Sequence, residues 1–306
     1  MQYIRGIEAY NGTGKSAVTL GKFDGLHRGH EKLVEQVIRL GTEHDVNSVV
    51  CSFDMLPLFE RLHRPGRVLM TKAERKRRLE NRVDYLVDCP FTEQIEQMEA
   101  EDFIRSVLSE IFHAAFVVVG ADFRFGHGKR GDIHMLAEYA NEYGYELIVI
   151  EKEKYGDRVI SSTFVKEALA EGNMALVAEL LGYPYTIMGK VEHGKQLGRT
   201  LGFPTLNVPP ESCKLLPPNG VYMNRILVDG TWYPAIGNVG IKPTVTESGK
   251  MLIESFLFGF DGDAYGKNVV IELYDFRRPE KKFADIEEMK RCIDQDIAYG
   301  KTYFGQ

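Results

Sequence analysis

The residues best suited to chemistry lie in a ten-residue stretch near the N-terminus, Gly21–His30, which reads GKFDGLHRGH. It combines glycines with an acidic residue and two histidines, His27 and His30. An apolar run precedes it and helically spaced apolar residues follow it, so the histidines are predicted to lie at the start of a helix. Free N–H groups there favour an anion, and glycine lets the backbone approach it closely. These residues predict a site for a nucleotide polyphosphate.

A tight loop with two solvated histidines is the competing interpretation of any one of these residues. Together they resemble the first signature of the nucleotidylyltransferases, a phenylalanine-containing turn followed by His-x-Gly-His. The resemblance implies that His27 and His30 bind ATP phosphates and stabilise the transition state of adenylyl transfer. It implies phosphate binding by the rest of the turn, Gly21, Phe23, Asp24 and Gly25.

A second candidate segment, Val119–Asp132, follows a predicted buried strand. It should lie at the carboxyl edge of a parallel sheet, where open α/β sheets bind ligands. Its aromatic and glycine surfaces suit a flavin ring, and its basic side chains suit the flavin phosphate. A mobile surface loop is the alternative. The candidate flavin-binding residues are Asp122, Phe123, Arg124 and Phe125.

A third segment, Ile160–Lys166 (ISSTFVK), offers hydroxyls at a helix start, which can cap the helix or hold ATP phosphates. With VLMTKAER and GADFRFG it resembles the bacterial FAD synthetases, which implies transfer of the adenylyl group of ATP to FMN with release of pyrophosphate. Two positions depart from the family pattern. Lys166 replaces an arginine, and a lysine cannot present the planar fork of a guanidinium to a phosphate. Met55-Leu56-Pro57 replaces a Pro-His-Pro-like element. The phosphate-binding candidates here are Ser161, Ser162, Thr163 and Lys166.

In the second half, Gly189–Asn207 reads GKVEHGKQLGRTLGFPTLN. A glycine-rich flap with lysines can cradle ATP phosphates. Thr205 and Asn207 alternate along an extended segment, so their oxygens face one side and can bind Mg²⁺ when phosphates supply the charge. A Gly/Pro-rich barrel loop is the equally weighted alternative. The phosphate-binding candidates are Gly189, Lys195 and Gly202.

This stretch resembles the flavokinase signature, and NGVY, GNVGIKPT, IESF, DAYG and FRRPEKKF follow in the family order. The resemblance implies in-line transfer of the γ-phosphoryl group of ATP to riboflavin. It implies that Glu254 is the general base on the ribityl 5′-hydroxyl, that Thr205 and Asn207 hold Mg²⁺, and that Arg278 lies near the flavin. Without the resemblance, Glu254 would be read as a solvent-facing carboxylate.

The elements that position these residues change character near Gly182-Tyr183-Pro184. Before it, strand and helix patterns alternate, which predicts a Rossmann-like parallel α/β domain over residues 1–184. After it, prolines and short strands predict a small antiparallel β-barrel with a C-terminal helix over residues 185–306. Asp229-Gly230 predicts a hairpin. The last helix should bury one face, formed by Ile286, Met289, Ile293 and Ile297.

Two basic stretches are not assigned to a binding or catalytic site. Gly14-Lys15-Ser16 resembles the end of a P-loop, but it leads into a strand and lacks the upstream glycine, so we predict a surface turn. Lys72–Arg78 (KAERKRR) is predicted to form the solvated face of a helix.

The overall composition argues against several classes of protein. The 306 residues are 44% hydrophobic and 27% charged with a net charge of −6, typical of a globular protein whose main partner is not nucleic acid. Apolar runs are too short to span a membrane. The four cysteines are scattered, which favours a reducing cytoplasm. Oligomeric state stays open.

Together these features predict a bifunctional riboflavin kinase and FMN adenylyltransferase that uses ATP and Mg²⁺ to convert riboflavin to FMN and FMN to FAD. Two alternatives stay open: a kinase whose N-terminal domain is degenerate or regulatory, and a non-enzymatic flavin sensor.

Overall fold

A computed structural model describes residues 1–194, 198, 202–242 and 250–306. The chain forms two compact units. The first comprises Met1–Val68 and Arg75–Ser162, and the second comprises Leu69–Glu74 and Thr163–Gln306. The functional boundary between residues 184 and 185 stays a prediction.

The first unit is built on a parallel sheet of six strands. The strands are β1 Gln2–Arg5, β2 Ser16–Gly21, β3 Asn47–Asp54, β4 Tyr85–Pro90, β5 Ala114–Gly120 and β6 Glu146–Ile150. Their order in the sheet is β1-β4-β3-β2-β5-β6. The chain runs outward from β2 through β3 to β4 and then returns to the other side of β2 with β5 and β6. The order therefore reverses between β2 and β5, and their carboxyl ends flank the crevice where such sheets bind ligands.

Helices connect these strands, as predicted for a Rossmann-like domain. The helix α1 buries Leu33, Val34, Val37 and Leu40, whose spacing puts them on one face. The helices are α1 Arg28–His44, α2 Leu56–Arg61, α3 Lys72–Leu79, α4 Glu93–Gln97, α5 Ala100–Asp102 and α6 Ile133–Tyr143. A π-helical segment, Phe103–Ile111, continues α5. A short strand pair, β7 Lys154–Tyr155 and β8 Arg158–Val159, follows β6.

The P-loop-like stretch is a turn, as predicted. Gly14 has a φ of +84°, and Ser16 is the first residue of β2 rather than of a helix. All residues of β2 except Gly21 are buried, as expected for a parallel strand covered on both faces.

The second unit is an antiparallel sheet in the order β10-β13-β12-β11-β14-β9. A bridge between Glu192 and Asn207 links the chain just after β9 to β10, so the two outer strands are joined as in a barrel. Asp229 and Gly230 have φ values of 48° and 84° and form the predicted hairpin turn. The strands are β9 Tyr185–Lys190, β10 Thr205–Val208, β11 Gly220–Val228, β12 Thr231–Lys242, β13 Lys250–Leu257 and β14 Asn268–Pro279.

Three helices follow β8 along the chain: α7 Ser162–Ala170, α8 Met174–Leu181 and the C-terminal α9 Ile286–Tyr303. The predicted apolar face of α9 is wrong at its start, where Ile286 is 64% exposed. The buried residues of α9 are Asp296 and Gly300. A Cβ on Gly300 would lie 2.9 Å from Phe258 Cζ, so the helix approaches the sheet closely there. The other residues of the predicted face, Met289, Ile293 and Ile297, are half-buried, and Ile297 packs against the core. The helix therefore docks through this shorter apolar face, close packing at Gly300 and an ion pair of Asp296, described below.

The prediction that Lys72–Arg78 forms a solvated face is wrong at Glu74 and Arg75, both of which are buried. Within the second unit, Lys214 Nζ donates to Glu74 Oε2 at 2.7 Å and to the Leu69 carbonyl at 2.6 Å. Glu74 Oε1 accepts from Met188 N at 3.1 Å. The side chains of Lys214 and Glu74 are 1% and 3% exposed. A capping box between Thr71 and Glu74 begins α3 at the same point.

We predict that Lys214→Met destabilises the second unit by about 3–5 kcal/mol, because Glu74 would keep a buried charge without its partner. Calorimetric unfolding of the full chain measures the change. The matched control is Lys267→Met, whose partner Asp229 is exposed; loss of an exposed pair costs about 0–1 kcal/mol. Equal effects of the two substitutions would contradict the prediction.

Candidate active sites

The loop after β2 holds two bulky residues in the left-handed backbone region. Phe23 has a φ of 45° and Leu26 a φ of 39°, and both side chains are fully buried. Such residues rarely adopt positive φ, and this strain concentrates at functional sites. The loop ends with His27 as the N-cap of α1 and with His30 in its first turn. The predicted helix start is confirmed.

The two histidine rings are stacked, with centroids 3.7 Å apart and an interplanar angle of 18°. Phe23 contacts His30 edge-on at 5.2 Å. Burial lowers the pKa of His27 to about 4, against the opposing charge of Asp24. Burial, then the charges of His27 and Arg75, holds the pKa of His30 well below its usual value. Both rings are therefore neutral near pH 7, and the buried Nδ1 atoms of both have no hydrogen-bond partner.

The start of α7 meets this loop inside the first unit. Ser162 Oγ donates to the Asp24 carbonyl at 2.8 Å. A Cβ on Gly29 would lie 3.8 Å from the Ile160 carbonyl, so the chain just before α7 lies beside α1. The structure thus brings Ser161 and Ser162 to the histidine loop. Thr163 and Lys166 lie further along α7 and belong to the second unit.

The segment after β5 forms a hydrogen-bonded hairpin. Phe125 and Gly131 exchange backbone hydrogen bonds of 3.1 and 2.9 Å. Phe125 is 7% exposed and packs in the core, whereas Phe123 is half-buried and stacks on it at 5.6 Å. Of the four flavin-binding candidates, Phe125 therefore offers little ring surface to a ligand. Asp122 pairs with Lys152, and Arg124 pairs with Asp132 at 2.6 Å.

In the second unit, the strand register aligns the kinase candidates. Asn207 on β10 is opposite Glu254 on β13, which is opposite Asn238 on β12. Asn238 is opposite Val221 on β11, which is opposite Arg278 on β14. Directly opposed residues of antiparallel strands share a face of the sheet. The row therefore puts the predicted metal ligand and the predicted base side by side, with the predicted flavin contact further along.

Asn207 is 6% exposed, and its Oδ1 has no hydrogen-bond partner. The glycines of the flap lie against this site: a Cβ on Gly194 would be 2.5 Å from Asn207 Nδ2, and one on Gly198 would be 3.6 Å from Thr205 Oγ1. An orphaned buried amide oxygen beside a hydroxyl is a donor set that suits Mg²⁺. Among described residues, no cluster of three or more His, Cys, Asp or Glu could hold a metal ion by itself, so a metal bound here would take its other ligands from phosphates.

The other phosphate-binding candidates of this half differ in position. Gly189 lies on β9, where a Cβ would be 2.6 Å from Val208 Cγ1, so its lack of a side chain serves close packing. Gly202 has a φ of +88° in an exposed turn. Lys195 lies outside the described residues.

Arg278 is held by the C-terminal helix. Its Nε and Nη2 donate to Asp296 Oδ2 at 2.9 and 2.6 Å, and Asp296 raises the pKa of Arg278. Sequence reasoning did not find Asp296, because an acidic residue on an amphipathic helix looks like a surface residue. It also missed Asn238, whose Nδ2 donates to Glu280 Oε1 at 2.8 Å; only the register with Glu254 reveals its place.

Comparisons with known proteins agree with both halves. Residues 11–164 match the family model of FAD synthetase, and residues 181–304 match that of riboflavin kinase. A bifunctional riboflavin kinase/FMN adenylyltransferase of Escherichia coli is 35% identical over 310 residues, covering 100% of this chain and 98% of the relative. The enzyme of the same name from Buchnera aphidicola is 34% identical over 309 residues, covering 99% and 98%.

A solved structure from Streptococcus pneumoniae, titled a macrolide-efflux protein, matches with a TM-score of 0.87 and 27% identity over 98% of both chains. The two share the fold, and neither family model and neither relative is named for macrolide efflux. Within the described part of this chain, each helix is too short or too polar to cross a membrane.

These similarities define a transferase that uses ATP in flavin cofactor synthesis. The chain belongs to the family of bifunctional riboflavin kinase/FMN adenylyltransferases. It phosphorylates riboflavin to FMN and adenylylates FMN to FAD, which confirms the bifunctional prediction over its two alternatives.

The low pKa of His27 predicts a pH-dependent stability. Between pH 6.5 and about 4 the unfolded chain binds a proton that folded His27 does not. The free energy of unfolding should therefore decrease as the pH is lowered from 6.5 to about 4, by roughly 3 kcal/mol for a shift of this size. Thermal unfolding measured across the window tests this.

His27→Asn should reduce the slope, because one titrating imidazole is gone, while His30, whose pKa is also lowered by burial, still contributes. His63→Asn is the control, since His63 is exposed and has a left-handed φ of 50° that asparagine tolerates. A slope unchanged in His27→Asn would show that other groups cause the acid sensitivity.

Proposed function

We propose that the two reactions use separate sites, adenylyl transfer at the histidine loop and phosphoryl transfer at the row of Asn207 and Glu254. The observation that carries the proposal is that buried polar atoms without partners occur at both: Nδ1 of His27 and His30, and Oδ1 of Asn207. Such atoms are costly in a folded chain unless a ligand completes them.

For adenylyl transfer, the FMN phosphate attacks the α-phosphorus of ATP and pyrophosphate leaves, without a covalent intermediate on the protein. The neutral imidazoles can donate N–H hydrogen bonds to phosphate oxygens, and the loop before α1 adds backbone N–H groups near the helix dipole. Catalysis then comes from alignment and from stabilising charge on the leaving group. The supporting phosphate contacts are assigned to Gly21, Phe23, Asp24, Gly25, Ser161 and Ser162.

The remaining contacts of this site rest on the resemblance. Asp122, Phe123 and Arg124 are proposed for the flavin, with Phe123 as the half-buried ring; Phe125 then supports Phe123 from the core. Phosphate binding by Thr163 and Lys166 stays a prediction.

For phosphoryl transfer, Glu254 accepts the proton of the ribityl 5′-hydroxyl as that oxygen attacks the γ-phosphorus of ATP. Thr205 Oγ1 and Asn207 Oδ1 would hold Mg²⁺, which neutralises phosphate charge when bound. The flap is proposed to cradle the phosphates through Lys195 and Gly202, with Gly189 at its base. Arg278, oriented by Asp296, is proposed to face the flavin.

We also propose a cytoplasmic location with ATP and flavins as the partners. All four cysteines are free thiols, including the buried Cys51 and Cys89, as is usual in a reducing compartment. The net charge of −6 offers no general attraction for nucleic acid.

Crossed substitutions should separate the sites. We predict that His27→Ala lowers FAD formation from FMN by ~10²-fold or more, because it removes a transition-state donor, while riboflavin phosphorylation continues. Glu254→Gln should lower riboflavin phosphorylation by roughly 10²-fold or more through loss of the base, while FMN adenylylation continues. Chromatography of riboflavin, FMN and FAD measures both. Each variant serves as the folding control for the other, and loss of both activities in either variant would count against separate sites.

Metal dependence tests the role of Asn207. We predict that Asn207→Ala raises the Mg²⁺ concentration for half-maximal kinase activity by roughly tenfold or more, since one ligand oxygen is lost. Calorimetric binding of ADP at varied Mg²⁺ gives a second readout. Asn268→Ala, at an exposed position of β14, is the matched control. The ligand role is wrong if both variants need the same Mg²⁺ concentration.

A further inference from the structure

A buried arginine, Arg75, lies beside the proposed adenylyl-transfer site, and none of the roles proposed above involves it. Arg75 is 5% exposed. Its Nη1 lies 3.5 Å from Asp88 Oδ1, and its Nε is buried without a hydrogen-bond partner. A guanidinium has five N–H donors, and a buried donor left unsatisfied costs about 1–3 kcal/mol. The ion pair with Asp88 therefore leaves at least the Nε donor available for a ligand.

The charges around Arg75 show where it lies. Burial lowers the pKa of Arg75, and the carboxylates of Asp88, Asp24 and Asp54 oppose that effect. Asp54 is the last residue of β3, Asp88 lies near the end of β4, and Asp24 follows β2. The 3.5 Å ion pair with Asp88 puts Arg75 at the carboxyl end of β4. The effects of Asp54 and Asp24 agree with this edge of the sheet, the edge that binds ligands in this type of fold.

Arg75 also acts directly on the histidine pair. Its charge lowers the pKa of His30, whereas the charge of Asp24 raises that of His27. The charge of Asp24 thus acts on His27, and the charge of Arg75 acts on His30. Because both imidazoles are neutral near pH 7, the permanent positive charge at the His30 end belongs to Arg75.

We propose that Arg75 is a further catalytic residue of adenylyl transfer and that it binds the pyrophosphate part of ATP. This inference rests on the assignment of that reaction to the histidine loop. In the step, a bond forms between an FMN phosphate oxygen and the α-phosphorus. The bond from the α-phosphorus to the oxygen bridging to the β-phosphorus breaks, and its electron pair leaves with pyrophosphate. Arg75 stabilises that developing charge through its planar fork, and no proton transfer is required.

The structural alternative is that Arg75 only neutralises Asp88. Three full-length variants separate the two roles: Arg75→Met, Arg75→Lys, and the double variant Arg75→Met with Asp88→Asn. Removing one partner of a buried pair is destabilising, whereas removing both is close to neutral. The double variant should therefore recover the unfolding temperature lost in Arg75→Met. Thermal unfolding of the full chain reports whether each variant is folded, and riboflavin kinase activity reports only on the second unit.

We expect Arg75→Met to lower kcat/KM for FMN adenylylation by ~10²–10³-fold and to weaken inhibition by inorganic pyrophosphate at least roughly tenfold, the size of a lost charge-assisted contact. The double variant should regain stability but not adenylylation. Arg75→Lys should retain part of the rate, because it keeps the charge and loses the fork.

Recovery of adenylylation in the double variant, or unchanged pyrophosphate inhibition in Arg75→Met, would overturn the role of Arg75. His27→Ala, assayed in parallel, tests the reaction site itself. If His27→Ala loses FAD formation and Arg75→Met does not, only the inference about Arg75 fails. If neither variant loses it, the assignment of the site fails.

Discussion

The adenylyl-transfer half depends on a single backbone constraint, the strained turn between β2 and α1. Two bulky residues, Phe23 and Leu26, take left-handed conformations that cost free energy, and their complete burial in apolar surroundings offsets that cost. The turn delivers His27 and His30 to the first turn of a helix with their rings stacked and desolvated. The neutral charge state of both rings follows from that burial, so the backbone strain and the electrostatics of the site have a common origin.

The second half reaches its geometry by a different route, the register of an antiparallel sheet. Because opposed residues share a face, the pairing of β10, β13 and β12 determines which side chains flank Glu254. A slip of one residue would turn Asn207 to the other face. The tight turn at Asp229-Gly230 and the bridge at Glu192 restrict such slips, so stability of the sheet and alignment of the proposed kinase residues are coupled.

The sequence predicted the alternation of strands and helices, the helix start at His27 and the hairpin at Asp229-Gly230 because each depends on local patterns: periodicity, capping and turn residues. Burial of polar residues could not be predicted in this way. Glu74 and Arg75 look like surface residues in a basic run, and their burial depends on partners at Lys214 and Asp88 that are distant in sequence. The same holds for Asp296 on α9. The prediction was wrong at Ile286, because apolar periodicity does not show at which residue a helix stops contacting the sheet.

The segment Leu69–Glu74 determines how the chain can be divided. The polypeptide passes between the two compact units at 68/69, at 74/75 and at 162/163. A single cut in the chain would therefore not yield both units intact. A cut between the two halves would leave residues 69–74 in the N-terminal fragment, whereas Lys214 and Met188, the buried partners of Glu74, would be in the C-terminal fragment.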